Sequence, residues 1–231
     1  MIPLNYSPEH CRPEAFRYFF QHFEHIASTR ALVHCAVAVS MHAIEDLHPQ
    51  GIDAELDKLA DLVRKQCPSP CPMAVIAHLH EILFEQEHFC GCGEEHYYHP
   101  RSSYLSLVLK TKRGLPILLS LVYKAVAERL GLHVDGICSR GHFLLRVDDG
   151  EGWLVVDPFQ GGRVLCLEEA VKIIGDLMNE TLEPDLKHLP TATHEEWITR
   201  IIVNLAYAFD RLGCEYDSLA MNELLAFSHA C

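Results

Sequence analysis

His142 and Asp157 flank the strongest hairpin signal in the chain, and together they could orient a general base. Asp149-Gly150 is a preferred two-residue turn, and the residues on either side alternate with the β-branched and aromatic content of strands. A two-residue turn there sets His142 opposite Asp157 and Trp153 opposite Arg146. Directly paired side chains lie about 5 Å apart at Cβ, so the imidazole could donate its Nδ1–H to the carboxylate. An imidazole held by a carboxylate is two thirds of a nucleophile–base–acid triad. A loop one residue longer would send the two side chains to opposite faces. An Asp before a proline is also a common local cap, which is the plainer alternative.

The nearest sequence-local nucleophile is Cys138, four residues before His142 and followed by a Ser-Arg-Gly loop that could fold it back toward the imidazole. A strand edge supplies no helix dipole to favour a thiolate, so an inert thiol is the competing expectation. Four further cysteines, Cys67-Pro-Ser-Pro-Cys71 and Cys90-Gly-Cys92, have His88 and His96 close by and invite a zinc site. Neither spacing is the two-residue gap of zinc knuckles, and a chain with 16 histidines produces such neighbours by chance. The expectation is therefore no metal and no cofactor.

The elements that must position these residues are bounded by length and composition. At 231 residues, 49% apolar and 22% charged, the chain is an ordinary globular one, long for a single domain. Net charge is −13, and no basic run exceeds Lys110-Thr-Lys-Arg113, which argues against nucleic acid and anionic membranes as partners. The opening residues lack signal-peptide character, and no segment is apolar for long enough to span a bilayer. Ten scattered cysteines without the density of a disulfide scaffold suit reduced thiols in the cytoplasm.

Helical periodicity predicts helices over 13–23, 31–44, 53–65 and 73–84, one packed N-terminal layer within 1–88. Residues 89–103 form a loop rich in Gly, Cys, His and Tyr, anchored by Tyr97, Tyr98 and Tyr104. A helix over 104–110 precedes the longest apolar run. That run opens at Pro116, closes at Gly131, and reads as a central helix. Strands follow at 133–138, 142–147, 153–157 and 163–167, then a helix to 178. Pro184 and Pro190 mark a linker. Thr193-His-Glu-Glu196 is a capping box that starts a helix ended by Gly213, and 216–227 forms its antiparallel mate. The expected division is a helical layer (1–88), a core (89–180) and a helical pair (191–231), all one compact α+β unit.

A central helix followed by an antiparallel sheet bearing His and then Asp is the order of the transglutaminase-like, papain-related fold. The chain is closer to it than element order at five places. These are Tyr97-Tyr-His-Pro-Arg-Ser-Ser-Tyr-Leu105, Arg113-Gly-Leu-Pro-Ile117, Ala127-Glu-Arg-Leu-Gly-Leu132, Gly141-His-Phe-Leu144 and Asp157-Pro-Phe-Gln-Gly-Gly162. Together they resemble the transglutaminase-like family of SirB-type bacterial regulators, a region also found in some eukaryotic F-box proteins. The resemblance covers roughly 31–228 and implies that the last two helices are a tetratricopeptide-like remnant. The family pattern carries Asp and Asn where this chain has His99 and Ser102. It also carries Arg and Asn on either side of the glycine that here separates Cys90 from Cys92.

The resemblance implies a nucleophilic cysteine at the start of the central helix, near Pro116 or Ile117, where neither residue can attack a carbonyl. Ser120 lies a turn deeper and reads as a core hydroxyl. The expectation is a non-catalytic regulatory protein whose old substrate cleft, lined by His142, Asp157, Tyr97, Tyr98 and Arg101, holds a protein or peptide segment. The rival is a cysteine amidase or acyltransferase using Cys138 with His142 and Asp157.

Overall fold

Pro13, Pro49, Pro72 and Pro116 each stand in the first turn of a helix, where a missing N–H removes no hydrogen bond. They open α1 (Pro13–Phe23), α3 (Pro49–Gln66), α4 (Pro72–His80) and α6 (Pro116–Arg129). The computed structural model describes residues 7–139 and 141–228. The ends of the outer two sequence segments, 1–6 and 229–231, and Arg140 of the Ser-Arg-Gly loop lie outside the described residues. Pro49 sets the start of α3 four residues before the expected Asp53. α2 (Thr29–Ala43) begins two residues early because the Ser28 hydroxyl accepts the Ala31 N–H at 3.2 Å. α4 continues into one π-helical turn, Glu81–Gln86.

α6 is buried on all sides, as its unbroken apolar run requires. Its one buried cation, Lys124, is satisfied by Glu128 at 2.5 Å and by the Val134 carbonyl. α5 (Leu105–Thr111) precedes it. β1 (Cys90–Gly91) and β2 (Arg113–Gly114) form a two-residue parallel ladder that pins the Cys-rich loop beside the start of α6. That ladder is too short to leave a periodic signal.

The main sheet comprises β3 (Val134–Ser139), β4 (His142–Asp148), β5 (Trp153–Asp157), β6 (Arg163–Leu165) and β7 (Thr191–Ala192). Its order is β6-β5-β4-β3-β7, with every neighbour antiparallel. Phe143, Leu145, Val147 and Val156 face the core around α6, and Ile137, Leu144, Val155 and Leu165 face α7 (Leu167–Met178). β7 lies just after Pro190, at the start of the segment expected to be a helical pair, and completes the β3 edge.

The hairpin register corrects the expectation. Asp148 pairs with Trp153 and Leu145 with Val156, so the loop is four residues, 149–152, and the register is shifted by two from a two-residue turn. Asp148 Oδ1 accepts the Gly150 N–H at 2.8 Å, and Asp149 Oδ1 accepts from Glu151 and Gly152 at 2.9 and 2.6 Å. Carboxylates that satisfy the loop amides in this way stabilise the longer turn. A shift of two preserves the face, so both expected contacts survive as diagonals. Arg146 lies over the Trp153 ring at 4.4 Å, and His142 still meets Asp157.

α8 (His194–Leu212) and α9 (Glu215–Ser228) complete the chain, with the capping box on α8 formed as expected. Trp197 is fully buried and crosses the sheet at Gly136, where a Cβ would fall 2.5 Å from the indole. From α9, Glu223 accepts the backbone N–H groups of Glu9, His10 and Cys11 at 2.8, 3.1 and 2.9 Å. Nearby, His42 accepts the Arg12 N–H at Nδ1 and pairs with Asp217 through Nε2 at 3.1 Å.

Candidate functional site

Asp157 ends β5, and the proline that follows turns the chain into a single 3-10 turn, Pro158–Gln160. Oδ1 of Asp157 caps that turn, accepting from Phe159 and Gln160 at 3.0 and 3.3 Å. Oδ2 lies 2.8 Å from Nε2 of His142. The plain capping role and the pairing role therefore coexist, one on each oxygen. Asp157 is fully buried and the His142 side chain is 10% exposed. The ring nitrogen engaged is Nε2, not the expected Nδ1, and this leaves Nδ1 as the atom that can reach the cleft.

His142 opens onto a cleft of about 880 Å³ between the first turn of α6, the ends of β4 and β5, α7 and α8. Pro116 and Ile117, where the resemblance implies a thiol, line the same cleft. Phe159 forms part of its wall, edge-on to both His142 and Tyr97 with ring centroids 6.1 Å apart in each case. It fits there because Gly91 has no side chain: a Cβ would lie 2.6 Å from the Phe159 ring. The glycine between Cys90 and Cys92 thus serves close approach.

Tyr97 and Tyr98 line the cleft as expected. Tyr97 donates its hydroxyl to the Gly141 carbonyl at 3.3 Å, and Tyr98 packs on Tyr207 with Arg211 over its ring at 4.7 Å. Arg101 does not line the cleft, and neither does the fully buried Asp157, which reaches it only through His142. Arg101 sits exposed in a 3-10 turn, Pro100–Ser103, with its backbone N–H held by His99 Nδ1 at 3.2 Å. His99 caps that turn much as the family's Asp would. The Ser102 hydroxyl turns inward to the His96 carbonyl at 2.9 Å.

The structure separates Cys138 from His142. Cys138 pairs with Phe143 and Ser139 with His142, so the thiol and the imidazole project from opposite faces of the sheet. Cys138 packs against the core around α6, with Arg200 at 3.9 Å from its sulfur. Burial pushes this thiol above its ordinary pKa despite the opposing pull of Arg200. A triad of Cys138, His142 and Asp157 is not assembled.

Nor are the four candidate zinc thiols gathered. Cys67 donates to the Ser69 carbonyl at 3.4 Å, Cys71 is exposed, Cys90 meets Arg113, and Cys92 is buried, which raises its pKa. Among the described residues no group of three His, Cys, Asp or Glu side chains is arranged to hold a metal ion. Among them, too, no helix is long and apolar enough to cross a membrane.

Several cleft residues escape a reading of the sequence: Ser103, Phe159, Leu177, Arg200, Asn204 and Tyr207. Ser103 and Phe159 stand within the quoted motifs without a role of their own, and on α8 Arg200, Asn204, Tyr207 and Arg211 follow helical spacing beside the apolar stripe.

An α+β fold with a helix start, an imidazole and a buried carboxylate around one cleft defines a transglutaminase-like architecture. The profile of the transglutaminase-like superfamily matches residues 50–203, and the chain belongs to that superfamily. A UPF0162 protein of Xylella fastidiosa (strain 9a5c) is 32% identical over 184 residues, covering 77% of this chain and 64% of its own. A second, from strain Temecula1, is 34% identical over 145 residues, covering 61% of this chain and 50% of its own. F-box only protein 21 of Homo sapiens is 30% identical over 168 residues, 60% of this chain but 27% of that longer protein. The chain spans half to just under two thirds of the length of the two bacterial relatives. No solved structure matches it.

Proposed function

We propose that this chain is a non-catalytic, regulatory member of the superfamily, of the SirB type, which holds a peptide or protein segment in the former substrate cleft. The observation that carries this reading is an ordered His142–Asp157 couple whose imidazole shares one cleft with Pro116 and Ile117 at the helix start. The base is kept and the position of its nucleophile is apolar. A volume of about 880 Å³ with aromatic and aliphatic walls has room for several residues of an extended chain. A related stretch inside the longer F-box only protein 21 agrees with a module that can be set within other chains. The same reading assigns the protein to the cytoplasm, where scattered cysteines stay reduced. The final helical pair is read as a tetratricopeptide-like remnant.

Selection of random heptapeptides on the immobilised full chain tests this. Binders should emerge whose affinity, measured by fluorescence anisotropy, is lost in Leu177→Arg, a substitution at an exposed cleft position. Binders that hold equally well to Leu177→Arg would overturn the reading, as would thiol-dependent turnover of a peptide amide.

A further inference from the structure

We infer that the inner end of the cleft recognises the free carboxylate of a peptide C-terminus, an inference that rests on the peptide-binding reading above. Ser103 is 2% exposed and lines the cleft, yet its hydroxyl makes no hydrogen bond among the described residues and is not sealed from the cleft. A hydroxyl that opens on the cleft without a protein partner can donate to a group bound there. Beside it, α6 begins with no side-chain cap, and Pro116 has no N–H to offer. The next amide, Ile117 N–H, has no acceptor among the described residues, so the positive end of the longest apolar helix opens on the cleft.

Arg200 is the third donor. It lines the cleft half-buried near Tyr97, and among the described residues its hydrogen bonds go to the Ser139 carbonyl and the Cys138 sulfur, at 3.4 and 3.9 Å, with no carboxylate partner. A half-buried guanidinium left without a carboxylate is an expected place for one to be brought by a ligand.

The surroundings favour a chain terminus over an acidic side chain. Phe143, Phe159, Ile173 and Leu177 give the last residue an apolar wall, whereas the exposed Glu94 on the rim repels a segment rich in acids. The partner is therefore a peptide ending in an apolar residue with a free carboxylate, preceded by neutral or basic residues.

Two random heptapeptide libraries, one ending in a carboxylate and one in a carboxamide, are passed over the immobilised full chain. Isolates are then measured by anisotropy on wild type, Ser103→Ala, Arg200→Gln and Leu177→Arg, each shown by its thermal melt to be folded. The expected result is enrichment from the free-acid library alone, with about tenfold weaker binding on amidation and on Arg200→Gln. Equal enrichment from the carboxamide library, still lost in Leu177→Arg, overturns the carboxylate inference and leaves peptide binding standing. Binding that follows an internal Glu or Asp whatever the terminus overturns the C-terminal assignment. No enrichment from either library removes both readings.

Discussion

The indole Nε1 of Trp197 donates to the carbonyl oxygen of Ile117, 3.2 Å away, and so ties α8 to the helix start that shares a cleft with His142. Among the described residues, the β7 edge pairing, the Glu223 clamp, the His42–Asp217 pair and the buried apolar face of α8 add to this bond in holding the segment after Pro190. Truncation after Pro190 should therefore uncover Gly136 and Phe143 and give aggregation or a lowered melting temperature. A truncated protein that stays monomeric on size exclusion and melts where the full chain does would refute this. Trp197→Ala alone should cost about 3–5 kcal/mol in denaturant titrations.

Asp157 serves two structural duties, and substitution can separate them. Asp157→Ala leaves the part-buried Phe159 and Gln160 N–H groups and Nε2 of His142 without their acceptor, at a cost of roughly 2–4 kcal/mol. Asp157→Asn keeps an oxygen for the turn and should lose less than half as much. Equal losses in urea melts would mean that the turn cap contributes nothing.

No thiol-dependent acyl transfer is expected from the intact protein, since Cys138 and His142 occupy opposite faces of the sheet. Mass-spectrometric labelling of Cys138 by iodoacetamide should be slow and indifferent to His142→Ala. Fast labelling that disappears in that variant would restore the Cys138 triad.

Acid should destabilise the protein through His80, whose Nε2 sits 2.9 Å from the buried Tyr123 hydroxyl. Burial pushes its pKa down to about 4, below the 6.5 of the unfolded chain. Between those values the unfolded state takes up the proton first, so stability present above pH 6.5 is lost as the pH falls toward 4, by roughly 3 kcal/mol. His22, His34, His42 and His194 are also lowered by burial and act in the same direction. In His80→Gln the acid limb of a stability–pH curve should be shallower. An unchanged slope would exclude His80 as a contributor.

Gly91→Ala should displace Phe159 from its places against Tyr97 and His142, because the added methyl would lie 2.6 Å from the ring. The expected cost is about 1–3 kcal/mol, accompanied by a shifted His142 ring resonance in NMR. A variant that retains wild-type stability and spectrum would show that the loop yields freely.

The hairpin illustrates what the sequence makes legible. Alternation assigned His142 and Asp157 to one face, and face is what survives a two-residue change of register. Loop length depended on side-chain oxygens of Asp148 and Asp149 competing for amides, which Asp-Gly alone does not encode. Helix starts at Pro13 and Pro116 are readable because proline acts locally, whereas Pro49 and Pro72 open helices that the pattern of apolar residues places later. The cleft was legible only where a motif named it. Ser103, Leu177 and Arg200 come from segments far apart in the chain and meet only through tertiary packing. Arg101 was misplaced because adjacency to Tyr97 and Tyr98 says nothing about where a 3-10 turn points it.

The carboxylate of Glu223, closed on the amides of residues 9–11, bears on how the protein is made. Those amides leave the ribosome more than two hundred residues before their acceptor. Their clamp can form only once α9 has emerged, and closing so long a loop is among the slowest kinds of contact. During synthesis the phenylalanine face of α1 has only its neighbours to cover it. A nascent chain stalled before α9 therefore keeps these amides unclamped and open to proteases and chaperones.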